Sequence, residues 1–231
     1  MTPDSWQTTL LRSSSDRVLV LASRQVGKSQ TSAALALKTA LLDEALVLLL
    51  SPGLRQSGEL FLKVLALYRD LGRPIPSAQP RDNSLRLNLS NGSRIISLPG
   101  TEATIRGYSS AALLVIDEAA RVPDELYLAV RPMLAVSRGS LVCVSSAYAK
   151  MGFFYEEYVN GTDRWERYKI KATECPRISQ AFLDEEREAM GDLFFDREYN
   201  CVFSEATDAV FRDVDLQAML DCSEEPFFPG A

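Results

Sequence analysis

The sequence predicts an α/β fold with a mostly parallel central sheet, and three observations predict it. Short apolar runs at residues 18–21, 45–50, 113–116 and 140–145 have the length and composition of strands buried on both faces. Longer stretches with a helical period lie between them. The clearest is 56–71, where Leu60, Phe61, Val64, Leu65, Tyr68 and Leu71 share a face. The first run is followed by a sharp turn, Ala22-Ser23-Arg24-Gln25-Val26-Gly27-Lys28-Ser29, and then by good helix formers over 30–42.

Strand, turn ending in Gly-Lys-Ser, then helix is the context a phosphate-binding loop requires. Backbone N–H groups and the free donors of the helix N-terminus face one concavity, where the helix dipole favours an anion. Lys28 is placed to reach the β- and γ-phosphates, and the Ser29 hydroxyl to ligate Mg²⁺. The common pattern starts with Gly, and Ala22 stands there instead. The competing reading is an ordinary strand–helix turn capped by Ser29.

The apolar run 113–116 ends in Asp117-Glu118. Two carboxylates at the carboxyl end of a parallel strand sit where α/β sheets bind ligands. Asp117 suits an acid that holds Mg²⁺, and Glu118 a base that polarises an attacking water. A glutamate beside the aspartate argues for water as the nucleophile, hence an ATPase and not a kinase.

Composition narrows the classes. The chain has 231 residues, enough for one large α/β domain. No apolar run approaches the roughly 20 residues of a membrane helix. The N-terminus lacks the pattern of a signal peptide, so the expected location is cytosolic. Four widely spaced cysteines fit a reducing compartment. With no histidine, Ser-His-Asp and Cys-His chemistry and most zinc sites are excluded. Carboxylates, Lys, Arg and a hard metal remain, which is the toolkit of phosphoryl transfer. A net charge of −6 does not predict tight nonspecific DNA binding, although a local patch could touch DNA.

The remaining elements follow in order. A short helix starts after Pro3. It carries Gln7, whose amide could read an adenine edge or be a plain helix position, and Trp6, expected to pack. Residues 84–89 and 94–98 alternate around Asn91-Gly92, predicting an antiparallel hairpin inserted at the sheet edge. The loop 99–110 contains Arg106, which could stabilise a transferring phosphoryl group in its own subunit or a neighbour's. A helix over 123–134 is interrupted at Arg131-Pro132. Strand 140–145 ends in Ser145-Ser146, which could sense the γ-phosphate or cap the next turn. Residues 165–171 read as a strand, 178–190 and 192–199 as helices, and 209–211 as a short strand. Residues 1–221 are expected to form one domain and 222–231 a linker-like tail. With an extra strand between the phosphate-loop strand and the acidic strand, this is a three-layer α/β/α P-loop ATPase of the RecA-like, additional-strand kind.

Trp6-Gln7, then residues 23–29, 104–109, 114–119 and Ser145-Ser146, in that order, resemble the ATPase domain of the large terminase subunit of tailed bacteriophages. The Arg inside the loop and the missing leading Gly are characteristic of that family. The resemblance implies a DNA-packaging motor that uses ATP and Mg²⁺ to drive double-stranded DNA into an empty capsid. Its implied partners are a portal protein, a small terminase subunit and further copies in a ring. Its place is the host cytoplasm, docked transiently on the procapsid. By position, Gln7 resembles the adenine-contacting glutamine and Arg24 the loop arginine acting within the subunit. Arg106 resembles a candidate trans-acting finger, Asp117 and Glu118 the metal-holding and catalytic acids, and Ser145 and Ser146 the coupling motif. That motif usually ends in Thr-Pro, where Ala147-Tyr148 stands here. Asp213 and Asp215 alone do not make a nuclease site, so no nuclease activity is expected. The alternatives are a helicase-like DNA translocase, with residues 51–56 on the DNA backbone, and a nucleotide-binding assembly subunit with little hydrolysis.

Overall fold

A computed structural model of the chain describes residues 2–78, 85–98 and 107–205. Seven strands form one sheet: β1 (Arg17–Ala22), β2 (Leu46–Leu50), β3 (Arg86–Asn88), β4 (Arg94–Leu98), β5 (Leu113–Asp117), β6 (Ser140–Ser145) and β7 (Glu166–Ile170). Their spatial order is β3-β4-β2-β5-β6-β1-β7, and only the β3–β4 pair is antiparallel. β6 lies between the phosphate-loop strand β1 and the acidic strand β5, as the additional-strand arrangement requires.

Seven α-helices accompany the sheet among the described residues: α1 (Ser5–Arg12), α2 (Lys28–Leu42), α3 (Leu54–Asp70), α4 (Asp124–Val130), α5 (Gly152–Val159), α6 (Gln180–Met190) and α7 (Asp192–Tyr199). The chain after α4 continues as a 3₁₀ turn, Arg131–Leu134, because Pro132 cannot extend the α-helical hydrogen-bond ladder.

Strand alternation builds a core on each face of the sheet. Val18 and Val20 pack with Ala33, Ala36 and Ala40 of α2 and with Phe61, Val64 and Tyr68 of α3. Leu19 and Leu21 turn the other way, toward Leu126, Tyr127 and Val130 of α4 and Phe153 and Phe154 of α5. Tyr127 and Phe153 stack with ring centroids 3.9 Å apart, which joins α4 to α5. A small third core of Ala172, Leu183, Phe195 and Tyr199 holds α6 and α7 together.

One sequence expectation needs correction. The 84–89 and 94–98 segments were to form an edge insertion, and β3 is indeed an antiparallel edge strand. β4, however, belongs to the main sheet, running parallel to β2 with Leu46 opposite Arg94 through Leu50 opposite Leu98. Its burial explains this: Ile95 and Ile96 cover opposite faces, which a solvated edge hairpin does not need. Helix α5 had no counterpart in the sequence reading. The expected strand 209–211, Arg106, Asp213, Asp215 and the tail 222–231 lie outside the described residues. Among the described residues, no helix is long and apolar enough to cross a membrane.

Candidate nucleotide site

Strand registers bring three loops together. Leu21 of β1 lies opposite Ser145 of β6, and Val144 of β6 lies opposite Asp117 of β5. Parallel strands therefore deliver residues 22–29, 117–121 and 145–148 to the same edge.

The first loop is shaped by two left-handed residues, Gln25 at φ 63° and Gly27 at φ 94°. Ala22 is the buried last residue of β1 and has no positive φ, so the glycine usual at that position is not needed here. The loop's outer end is tied down by Ser23 N–H to the Ile170 carbonyl at 2.9 Å and by Arg24 N–H to the Glu198 carbonyl at 3.1 Å. Among the described residues, the N–H groups of Gln25, Val26, Gly27 and Lys28 find no acceptor. Four unpaired donors in an alternating turn at the start of α2 form an anion nest.

Lys28 is 7% exposed and donates to the carbonyls of Ala22 and Ser23 at 3.1 and 2.8 Å. Burial holds its pKa below the usual lysine value, against the pull of the Glu118 and Asp117 charges. Asp117 is 5% exposed. Its pKa is raised, first by burial and next by the Glu118 charge, while a hydrogen bond from Ser29 and the charges of Lys28 and Lys63 oppose the rise. One of its oxygens, Oδ1, is buried with no hydrogen-bond partner. An orphaned carboxylate oxygen beside a serine hydroxyl fits a hard divalent cation whose other ligands are water and phosphate. No cage of three or more acidic, Cys or His groups exists among the described residues.

Glu118 has a left-handed backbone, φ 53°, and opens a 3₁₀ turn, Ala119–Arg121. The Ser145 hydroxyl accepts the Ala120 N–H at 3.2 Å, and the Ser146 hydroxyl donates to Glu118 Oε2 at 3.5 Å. The two serines thus bind the acidic turn directly and do not merely cap their own. A cavity of about 540 Å³ opens here, lined by Arg24, Gln25, Gly27, Lys28, Ser29, Gln30, Gln56, Lys63, Glu118 and Arg121. A second, of about 470 Å³, lies on the other side of Gly27 and is lined by Gln7, Gln25, Gln30, Thr31, Leu67 and Arg177 among others. Gln7 also serves α1: its Oε1 accepts the Asp4 N–H at 2.9 Å in a capping box. Trp6 packs against the core.

The sequence-predicted residues Arg24, Gln25, Gly27, Lys28, Ser29 and Glu118 therefore meet at one cavity, with Asp117 beneath it and Gln7 at its neighbour. Ser23 and Val26 belong to the loop but do not line either space. The sequence reading missed Lys63, Arg121, Arg177 and Glu198. Arg121 follows Glu118 by three residues and could have been noticed. The other three arrive through tertiary packing and carry no local signal.

The family model "Terminase large subunit, T4likevirus-type, N-terminal" matches residues 19–218. No curated protein sequence matches the chain. Among solved structures, the Thermus phage P74-26 large terminase ATPase domain is 20% identical with a TM-score of 0.77, covering 88% of this chain and 94% of that one. The large terminase of another thermophilic bacteriophage, in complex with ATP-gamma-S, is 16% identical with a TM-score of 0.68, covering 87% of this chain and 53% of that one. The HK97 bacteriophage large terminase is 16% identical with a TM-score of 0.68, covering 87% of this chain and 50% of that one. At such identities the likeness establishes the fold, and the chain spans about half the length of the last two proteins.

Proposed function

The chain belongs to the terminase large-subunit family, T4-like-virus type, N-terminal part, and from that premise we propose that it is an ATP-hydrolysing motor domain that powers translocation of viral double-stranded DNA into an empty capsid. The observation that carries this reading is the meeting of buried Lys28 and left-handed Glu118 at one cavity beside a nest of unpaired N–H groups. A nest and a buried lysine bind phosphate. A glutamate facing the same space adds what a pure binder does not need, a group to orient and deprotonate water.

In this reading the loop N–H groups and Lys28 hold the β- and γ-phosphates. Lys28 exchanges its two carbonyl bonds for phosphate oxygens, so its ammonium is positioned before substrate arrives. Ser29 and Asp117 would hold Mg²⁺, which supplies charge neutralisation of the phosphate oxygens when bound. Glu118 receives the proton of the attacking water, and Ser146, on one of its oxygens, registers the change in charge. Gln7 faces the adenine. Arg24 acts on the nucleotide in its own subunit, and Arg106 is the trans-acting finger of a neighbouring subunit in a ring. The partners are double-stranded DNA, a portal protein and a small terminase subunit, in the host cytoplasm at the procapsid. No nuclease activity is assigned to these residues.

The test is steady-state ATP hydrolysis with Mg²⁺ over a range of protein concentrations. Glu118→Ala should lower turnover by roughly 10²–10⁴-fold while nucleotide binding persists. Specific activity that rises with concentration, with the rise abolished by Arg106→Ala, supports the ring with a trans finger. Flat activity with a normal Arg106→Ala variant removes the trans finger. Absence of turnover at every concentration and with DNA present leaves a nucleotide-binding subunit and sinks the motor assignment.

A further inference from the structure

We propose that Arg121 is a γ-phosphate-contacting cation of this site and that the ring of Tyr148 sets its position. The proposal deepens the ATP-site reading and rests on it. It concerns two residues that the terminase resemblance did not assign.

The cavity has four cationic residues on its wall, and they are not equivalent. Arg24 is held by the Glu198 carboxylate. Lys28 is bound to the loop carbonyls. Lys63, on α3, acts across the cavity on Asp117. Arg121 has no carboxylate partner among the described residues. Its backbone is nevertheless fixed: the 3₁₀ turn closes with Arg121 N–H on the Glu118 carbonyl at 2.9 Å. Arg121 therefore keeps a constant offset from the group that orients water, which lies at the γ end of a bound phosphate chain.

Its side chain is fixed as well. The guanidinium carbon sits 4.3 Å from the centroid of the Tyr148 ring. Stacking on a ring face uses the guanidinium plane and leaves its in-plane N–H donors free, in the fork that matches phosphate oxygens. Tyr148 is in turn anchored: its carbonyl accepts the Ser204 N–H at 2.9 Å and the Ser204 hydroxyl at 3.1 Å. The ring thus stands on main chain paired to the segment after α7, two residues beyond Ser146. An exposed arginine in this setting is a preorganised donor, restrained before ligand arrives, so little rotamer entropy remains to be lost on binding phosphate.

The experiment measures dissociation constants for ATP-gamma-S and ADP by displacement of a fluorescent nucleotide, on the full chain with Mg²⁺. Arg121→Ala should weaken ATP-gamma-S roughly tenfold or more and ADP by no more than about two- to threefold, the loss of a charged hydrogen bond to the terminal phosphate alone. Tyr148→Ala should weaken ATP-gamma-S in the same selective way, Tyr148→Phe should restore what it loses, and Tyr148→Ala should add nothing in the Arg121→Ala background. Equal effects of Arg121→Ala on both nucleotides, or none on either, overturn the γ-phosphate contact. Full additivity of the two alanine variants, or no rescue by Phe, overturns the positioning role of Tyr148. A wild-type chain that binds neither nucleotide overturns the ATP-site reading and this proposal with it, whereas normal wild-type binding with an indifferent Arg121→Ala variant overturns this proposal alone.

Discussion

Arg24 is gripped twice by Glu198: its Nε lies 2.5 Å from Glu198 Oε2, and its main-chain N–H bonds the Glu198 carbonyl at 3.1 Å. Glu198 is 8% exposed and also pairs with Arg197 through its other oxygen at 3.0 Å. The C-terminal turn of α7 is thereby fastened to the phosphate loop. The same stretch of chain reaches Tyr148 through Ser204. Residues 198–204 thus touch both the loop that holds phosphate and the segment after β6.

The Glu198 carboxylate holds Arg24 Nε and offsets the guanidinium charge, so Glu198 weakens the pull of Arg24 on a phosphate. Glu198→Gln keeps the side-chain shape and removes the charge. Nucleotide affinity should rise roughly two- to fivefold, the worth of a pair whose arginine is 57% exposed. In an Arg24→Ala background the same substitution should change affinity little. Calorimetric titration of the four proteins decides it, and an equal gain in both backgrounds would show that Glu198 acts on the site without Arg24.

Chemistry with a local spacing was legible in the sequence. Gly27-Lys28-Ser29 and Asp117-Glu118 announced themselves because an apolar strand-sized run precedes each and fixes where it must project. The missing leading glycine was a weaker objection than it looked, since the left-handed positions are Gln25 and Gly27 and not Ala22. Glu198 and Lys63 were illegible because they reach the site through helix packing, and Arg177 because it comes from the turn before α6, and neither route leaves a trace in spacing. Helix α5 escaped because Phe153, Phe154, Tyr155 and Tyr158 spread apolar surface around it and blur the period. The parallel pairing of β4 escaped because the Asn91-Gly92 turn correctly announces a hairpin and says nothing of the strand's other edge.

Gly139 is where the chain enters β6, and a Cβ there would lie 2.0 Å from the Ala111 carbonyl oxygen and 3.0 Å from that of Ala112. Both contacts are backbone atoms and cannot rotate away. Gly139→Ala must separate the starts of β5 and β6, the two strands that carry Glu118 and Ser145. A loss of roughly 1–3 kcal/mol or more is expected, or about 2–4 °C in Tm for each kcal/mol. Thermal unfolding checks it, and an unchanged midpoint would mean that the strand entrance yields freely.

Gln7 has two jobs that one substitution can separate. Its Oε1 accepts the Asp4 N–H, and its Nε2 faces the loop, 2.8 Å from where a Gly27 Cβ would be. Gln7→Glu keeps an acceptor for the helix cap and removes the donor. Tm should hold, while KM for ATP rises roughly three- to tenfold and preference over GTP falls, the loss of about one hydrogen bond. A parallel drop in Tm would return Gln7 to the status of a capping residue alone.

Asp117 is a liability to the empty fold. Its pKa is raised by burial, then by the Glu118 charge, so the folded state holds the proton more tightly than the unfolded chain. The sign follows: its contribution to stability is complete below the unfolded value near 3.8, and declines as pH rises through the folded value. At neutral pH, keeping this buried, half-unpartnered carboxyl in the fold therefore costs free energy that Asp117→Asn should return. Without nucleotide, the variant should melt higher than the parent at pH 7 by about 2–4 °C for each kcal/mol recovered, and the gap should shrink as pH is lowered toward 4. With ATP-gamma-S and Mg²⁺ the order should invert, because the parent gains from a cation that the amide holds poorly, and hydrolysis should be lost. Melting curves at several pH values, with and without nucleotide and Mg²⁺, test both halves. A variant that melts lower than the parent when empty would mean that Lys28 and Lys63 already repay the burial of the charge.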